Sequence, residues 1–220
     1  MTRKFIYICI AALLLLSQLN PRGALSLTVG EEEKMGRSIL RYIYQQYEII
    51  DDPEVVDYVN KVGNRIVEGL EDPLFNYRFH VIKLDAYNAF AIPAGYIFIN
   101  SGLVAVMDGE EELAGILAHE IAHVNARHIS QKIERSKKIG WATMAGMAAG
   151  ILVGAAGGAE AGQALTTGSQ AAGAAAELSY SRDNEIQADQ LGLIYLKDAG
   201  YRSEGLLKIL KKMRSKQWFD

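Results

Sequence analysis

The pentapeptide His119-Glu120-Ile121-Ala122-His123 constrains this chain more than any other stretch. Leu113, Ile116 and Leu117 set an apolar helical period ahead of it. Asp108 with Glu111 reads as an N-cap with its capping box, so the pattern predicts a helix from there to about Glu134. Four residues along an α-helix return to within about 40° of the start. Both imidazoles then stand on one face, within reach of one metal ion. Glu120 lies about 100° away, placed to hold a water on that metal rather than to ligate it. Several turns inside a helix, these side-chain directions are fixed.

A catalytic zinc takes three protein ligands and keeps one position open. The third must be found among few candidates. The chain has four histidines and one cysteine, Cys9, so disulfides and cysteine-ligated zinc are excluded. His128, five residues past His123, would fall about 140° off the metal face of a continuous helix. It also misses the spacing of a third histidine six residues on. His80 sits alone in a predicted strand and reads as structural. Glu185 is the better choice, with Asp189 one helical turn later. Glu185 would ligate the metal while Asp189 hydrogen-bonds a ligand histidine and sets its tautomer. Ala188 and Gly192 are small enough for the two helices to approach closely.

The rest of the chain reads as one domain with an exported start. Arg3 and Lys4 precede an apolar run from Ile6 to Leu16, and Ala24-Leu25-Ser26 offers a cleavage site. Residues 1–26 are read as a cleaved signal peptide directing export to the periplasm, the alternative being an uncleaved membrane anchor. Residues 27–220 then carry 20 basic against 26 acidic residues, with no basic patch to suggest nucleic acid. Helices are predicted from Glu31 to about Tyr47 and from Asp52-Pro53 onward, where proline at the first helical position follows a good cap. Strands are predicted at 77–84, 88–91 and 95–99, and a short capped helix at 101–107. Residues 139–176 are rich in Gly and Ala, and Ile139 to Ala159 is uncharged. We read this insert as a mobile helical lid; peripheral membrane contact through 139–159 and a linker are the alternatives. A second long helix is predicted from about Ala171 to Lys197, stopped by Gly200. A final amphipathic helix follows, with Lys208, Lys211, Lys212 and Arg214 as a solvated face.

The segment Asn88-Ala89-Phe90-Ala91-Ile92-Pro93-Ala94-Gly95, the pentapeptide His119 to His123 and the run Ser181-Arg182-Asp183-Asn184-Glu185-Ile186-Gln187-Ala188-Asp189 occur in that order. Together they resemble the zinc metallopeptidases that include HtpX, the CaaX prenyl endopeptidase, the mitochondrial OMA-type protease and the periplasmic BepA-type proteases. Ala94 departs from the Pro-Gly-Gly usual there. The resemblance covers about residues 30–215 and is nearest to the soluble periplasmic branch. It implies an α+β, gluzincin-like fold, mostly helical, with a small antiparallel or mixed sheet beside the active-site helix. It also implies one zinc per chain on His119, His123 and Glu185, with Glu120 as general base.

The expected activity is endopeptidase cleavage of unfolded or misfolded envelope proteins. Candidates for stabilising the transition state are Arg182, Tyr180, Asn184 and Tyr201. Gly95, Tyr96, Ile97 and Phe98 are read as an edge strand to which an extended substrate adds. Two alternatives stand beside this reading: a chaperone-like quality-control protein with a latent protease site, and a membrane-tethered protease.

Overall fold

The computed structural model describes residues 27–135 and 180–217. The anticipated signal segment and the Gly/Ala-rich insert fall outside these, and with them the lid and membrane-contact readings. Among the described residues no helix is long and apolar enough to cross a membrane.

The chain opens with α1 (Val29–Gln46), capped by Thr28 in a full capping box with Glu31. Strand β1 (Ile49–Ile50) leads to α2 (Pro53–Val67), where Asp52 accepts from the Glu54 N–H and Pro53 fills the first position, as predicted. Strands β2 (Arg78–Ile82), β3 (Ala89–Ile92) and β4 (Tyr96–Asn100) follow. With β1 they form a four-stranded mixed sheet ordered β1-β2-β4-β3, parallel only between β2 and β4. A short α3 (Ser101–Ala105), without a side-chain cap bond, leads to α4 (Glu110–Asn125) and α5 (His128–Arg135). After the insert come α6 (Arg182–Asp198) and α7 (Glu204–Gln217). The result is the expected α+β architecture, mostly helical with a small mixed sheet.

The metal-motif helix α4 lies at the centre. It packs on the sheet and α2 on one side and on α6 and α7 on the other. Every residue from Glu112 to Val124 is buried. Ile116, Leu117 and Ile121 each contribute on the order of 2 kcal/mol by leaving water. Close helix approach depends on missing side chains. A Cβ on Gly205 would lie 1.9 Å from the Glu111 carbonyl oxygen, and one on Gly192 would lie 3.3 Å from the His119 nitrogen. The small face anticipated on α6 is thus where it meets the metal-motif helix.

Five sequence expectations are corrected. The strand at residues 95–98 is not an edge, because β4 is paired on both sides, to β2 and to β3. The edge is β3. The Asn100 N–H donates to the Asn88 carbonyl at 2.9 Å, so alternate residues 90 and 92 face β4 while Ala89 and Ala91 turn their backbone groups outward.

Second, the Asp108–Glu111 capping box does not form. Gly109 is the N-cap, Asp108 accepts from Lys212 Nζ at 2.8 Å, and Glu111 takes the Arg202 N–H at 2.9 Å. Third, Lys212 is therefore not a solvated charge; it also binds buried Glu112 at 2.7 Å.

Fourth, the predicted helix to Glu134 breaks at Arg127, whose φ of 54° is left-handed. This lets its guanidinium reach the buried Glu32 carboxylate, with Nε 2.7 Å from Oε1, and the Leu27 carbonyl. Those tertiary partners offset the strain of a non-glycine residue there. Fifth, the predicted helix does not run unbroken to Lys197: α6 begins at Arg182, where a Ser181–Asn184 capping box starts it, and the part predicted over 171–179 lies outside the described residues. Its predicted end stands: Gly200 has φ 74° beyond the Ala199 cap.

Candidate metal centre

His119 and His123, one turn apart on α4, direct Nε2 atoms toward each other at 3.1 Å. Glu185 on α6 completes the cluster, with Oε2 3.5 Å from His119 Nε2 and Oε1 3.7 Å from His123 Nε2. Ligands about 2.0–2.1 Å from a tetrahedral ion stand roughly 3.3–3.4 Å apart, so this triangle fits one. Among the described residues these three are the group able to hold a metal. Two buried imidazole nitrogens facing each other at this distance fit a cation between them better than each other.

Asp189 Oδ1 lies 3.0 Å from His119 Nδ1, an ion-pair distance. The distance is that of the contact expected of Asp189, whose carboxylate would set the proton on Nδ1 and leave Nε2 facing the cluster. Burial works to lower the His119 pKa, but the carboxylates of Asp189, Glu185 and Glu120 outweigh it and raise it to about 10. His123 goes the other way. Burial, with the neighbouring His119 and His128, lowers it to about 2, so it is neutral.

Glu120 is buried beside the cluster. Burial lifts its pKa to about 7; His119 opposes the rise, Glu185 adds to it, and the Ala91 backbone N–H lowers it. Its Oε2 has no hydrogen-bond partner among the described residues. A carboxyl group titrating near neutrality is suited to accept and return a proton. The Ala91 N–H that reaches Glu120 belongs to the outward edge of β3.

The four candidate stabilisers separate. The Tyr180 ring stacks on His123 at 3.8 Å between centroids, and its buried hydroxyl has no partner among the described residues. Burial, then Glu120 and Glu185, raise its pKa, so it remains a proton donor. Arg182 is exposed at the start of α6, and the Asn184 side chain is engaged in the Ser181 capping box. Tyr201 is a correction: it donates to Glu110 at 2.8 Å, nine residues before His119.

Sequence reasoning missed two residues. His128 Nδ1 lies 3.0 Å from His123 Nδ1, and Gln187 Oε1 lies 3.0 Å from His128 Nε2. The angular reading placed His128 off the metal face by assuming a continuous helix, and Ala126-Arg127 carries no glycine or proline to signal the break.

An H-E-x-x-H helix buried against a mixed sheet, with a glutamate supplied from a later helix, defines a metallopeptidase. The model of Peptidase family M48 matches residues 53–220, and the chain belongs to that family. It is 31% identical over 188 residues to the Beta-barrel assembly-enhancing protease of Escherichia coli (strain K12), covering 86% of this chain and 38% of that protein. Its counterpart in Yersinia pestis is 30% identical over 199 residues, covering 90% and 41%. A shorter match, 39% identical over 84 residues, relates 37% of this chain to 24% of the Mitochondrial metalloendopeptidase OMA1 of Schizosaccharomyces pombe (strain 972 / ATCC 24843). The chain spans about two-fifths of the length of the two bacterial relatives.

Proposed function

We propose that this chain is a zinc-dependent endopeptidase of the bacterial envelope that hydrolyses unfolded or misfolded envelope proteins. The observation that carries the reading is the triangle of His119, His123 and Glu185 with Glu120 beside it. The nitrogen and carboxylate donors suit zinc, which when bound there supplies Lewis-acid polarisation of water and of the scissile carbonyl.

The chain's own residues do the remainder. Glu120 takes the proton from the attacking water and returns it to the leaving amine. The Tyr180 hydroxyl donates to the oxyanion. The outward groups of Ala89 and the outward C=O of Ala91 receive the substrate as an added strand, in place of the β4 residues first assigned that task, while the Ala91 N–H holds Glu120. Binding of this kind reads backbone, which suits unfolded chains. Residues 1–26, read as a signal peptide, and the similarity to β-barrel assembly-enhancing proteases support a periplasmic place of action.

Metal analysis paired with casein cleavage tests the reading. The purified chain is expected to hold one zinc and cleave casein, while Glu120→Gln holds zinc and does not cleave. Wild-type protein that binds no zinc, or a Glu120→Gln variant that cleaves normally, would overturn it. Fractionation of cells producing the full chain tests the location, with recovery in the periplasm expected.

A further inference from the structure

Asp189 accounts for the orientation of His119, but the carboxylate at that helix face does not explain His123. The far side of the His123 ring is met instead by a second imidazole. His123 Nδ1 and His128 Nδ1 are 3.0 Å apart, and their rings meet edge to face at 75°. His128 Nε2 in turn lies 3.0 Å from Gln187 Oε1. His128 is buried, and both its nitrogens are within hydrogen-bond distance of a partner.

With the Gln187 amide oxygen turned to His128, one arrangement of protons satisfies the whole series. An amide oxygen only accepts, so His128 Nε2 carries a hydrogen and donates it to Gln187. With its ring hydrogen at Nε2, His128 presents a lone pair at Nδ1. His123 must donate from its own Nδ1, which leaves the lone pair on Nε2. That Nε2 is the atom facing His119 Nε2 at 3.1 Å and Glu185 Oε1 at 3.7 Å.

We propose that His128 and Gln187 are positioning residues: the relay Gln187–His128–His123 holds His123 as the Nδ1–H tautomer with Nε2 open to the metal. The proposal rests on the metal-centre reading above. It makes the two ligand histidines unequal. His119 is oriented by a carboxylate, whereas His123 is oriented by an uncharged chain. It also gives the left-handed Arg127 a consequence. A continuous helix would carry His128 about 140° away, and the break that brings it onto His123 is held by Arg127 on Glu32 and Leu27. Helix α6 then supplies the third ligand, the partner of His119 and the end of the relay to His123 from within five residues.

Zinc affinity measured by chelator competition tests the proposal with substitutions at exposed Gln187, which leave the core untouched. Gln187→Lys puts a donor against His128 Nε2 and reverses the preferred polarity. We expect zinc to bind about tenfold or more weakly, the size of effect typical of lost outer partners. Gln187→Glu keeps an acceptor and is expected to stay within about threefold of wild type. The cobalt-substituted visible spectrum should shift in the lysine variant, while the unfolding midpoint of both metal-free variants stays put. Equal affinities for wild type and Gln187→Lys would overturn the relay, as would equal losses in the two variants. Imidazole nitrogen NMR supplies a second check: a His128 found as the Nδ1–H tautomer overturns the relay. Glu185→Ala separates the two claims. If wild type binds zinc and Glu185→Ala does not, a failed Gln187 result refutes only the relay. If wild type takes up no zinc, the metal centre itself is wrong.

Discussion

Helices α4 and α6 face each other across the same three ligands, yet they are built on opposite terms. The His119 and His123 side chains on α4 are 7% and 1% exposed, whereas Glu185 and Asp189 on α6 are 46% and 45% exposed. α4 is enclosed by sheet and helices and is part of the core. α6 buries one face that includes Ala188, Gly192, Tyr195 and Leu196. One wall of the site is fixed by the fold. The other is packed on it through one face and turns its carboxylates to the open side. Truncations on the α4 wall should therefore disturb folding, and changes to the exposed carboxylates of α6 the chemistry alone.

The largest effect expected is on activity. Glu120→Gln should lower kcat by about 10²–10⁴ while zinc stays bound, because it removes the proton acceptor and keeps the shape. Next is Glu185→Ala, which should lose more zinc affinity than the about 10–100-fold typical of an outer partner. Its metal-free unfolding midpoint should match wild type; a large drop would show that α6 belongs to the core after all. Ile121→Ala reverses the pattern. It is expected to destabilise the metal-free protein by about 2–5 kcal/mol in urea titration, being fully buried on α4. Tyr180→Phe keeps the ring on His123 and removes the hydroxyl. We expect roughly a 10- to 100-fold loss in kcat with KM little changed, the size of one lost oxyanion donor or somewhat less.

The smallest effect lies away from both walls. His80 stacks on Phe98 at 5.0 Å and has Nδ1 3.3 Å from the Tyr44 hydroxyl. Burial, aided by the Arg78 charge, lowers its pKa to about 4. The unfolded chain binds this proton near pH 6.5 and the folded chain only near 4. Its contribution is therefore complete above pH 6.5 and is lost as pH falls toward 4. The loss should be on the order of 2 kcal/mol, and His80→Asn should flatten stability between those pH values. An unchanged pH profile in that variant would mean His80 is better solvated than its surroundings imply.

Much of this was legible in the residues themselves. The period of 3.6 around His119 and His123, the Asp52-Pro53 start and the Gly200 stop are local properties, decided within a turn or two of chain. Local geometry also identified His80 as a packed side chain. The errors have one origin. Asp108 and Glu111 have good capping chemistry, but Lys212 and Arg202, about a hundred residues on, bind them instead. Arg127 looks like any helical residue until buried Glu32 claims its guanidinium. Alternation finds strands but not their neighbours, so β4 passed for an edge when it is paired on both sides.

The sequence alone therefore determined the donor types and the spacing of two of them on one helix, because helical periodicity is set by bonded geometry; it also singled out Glu185, which the fold brings beside them. Tertiary structure decided which strand is left open beside Glu120, that Tyr180 rather than Tyr201 lies on the metal face, and that His128 reaches His123. Those depend on contacts between segments distant in sequence, whose energies outweigh local preference and leave no local pattern behind.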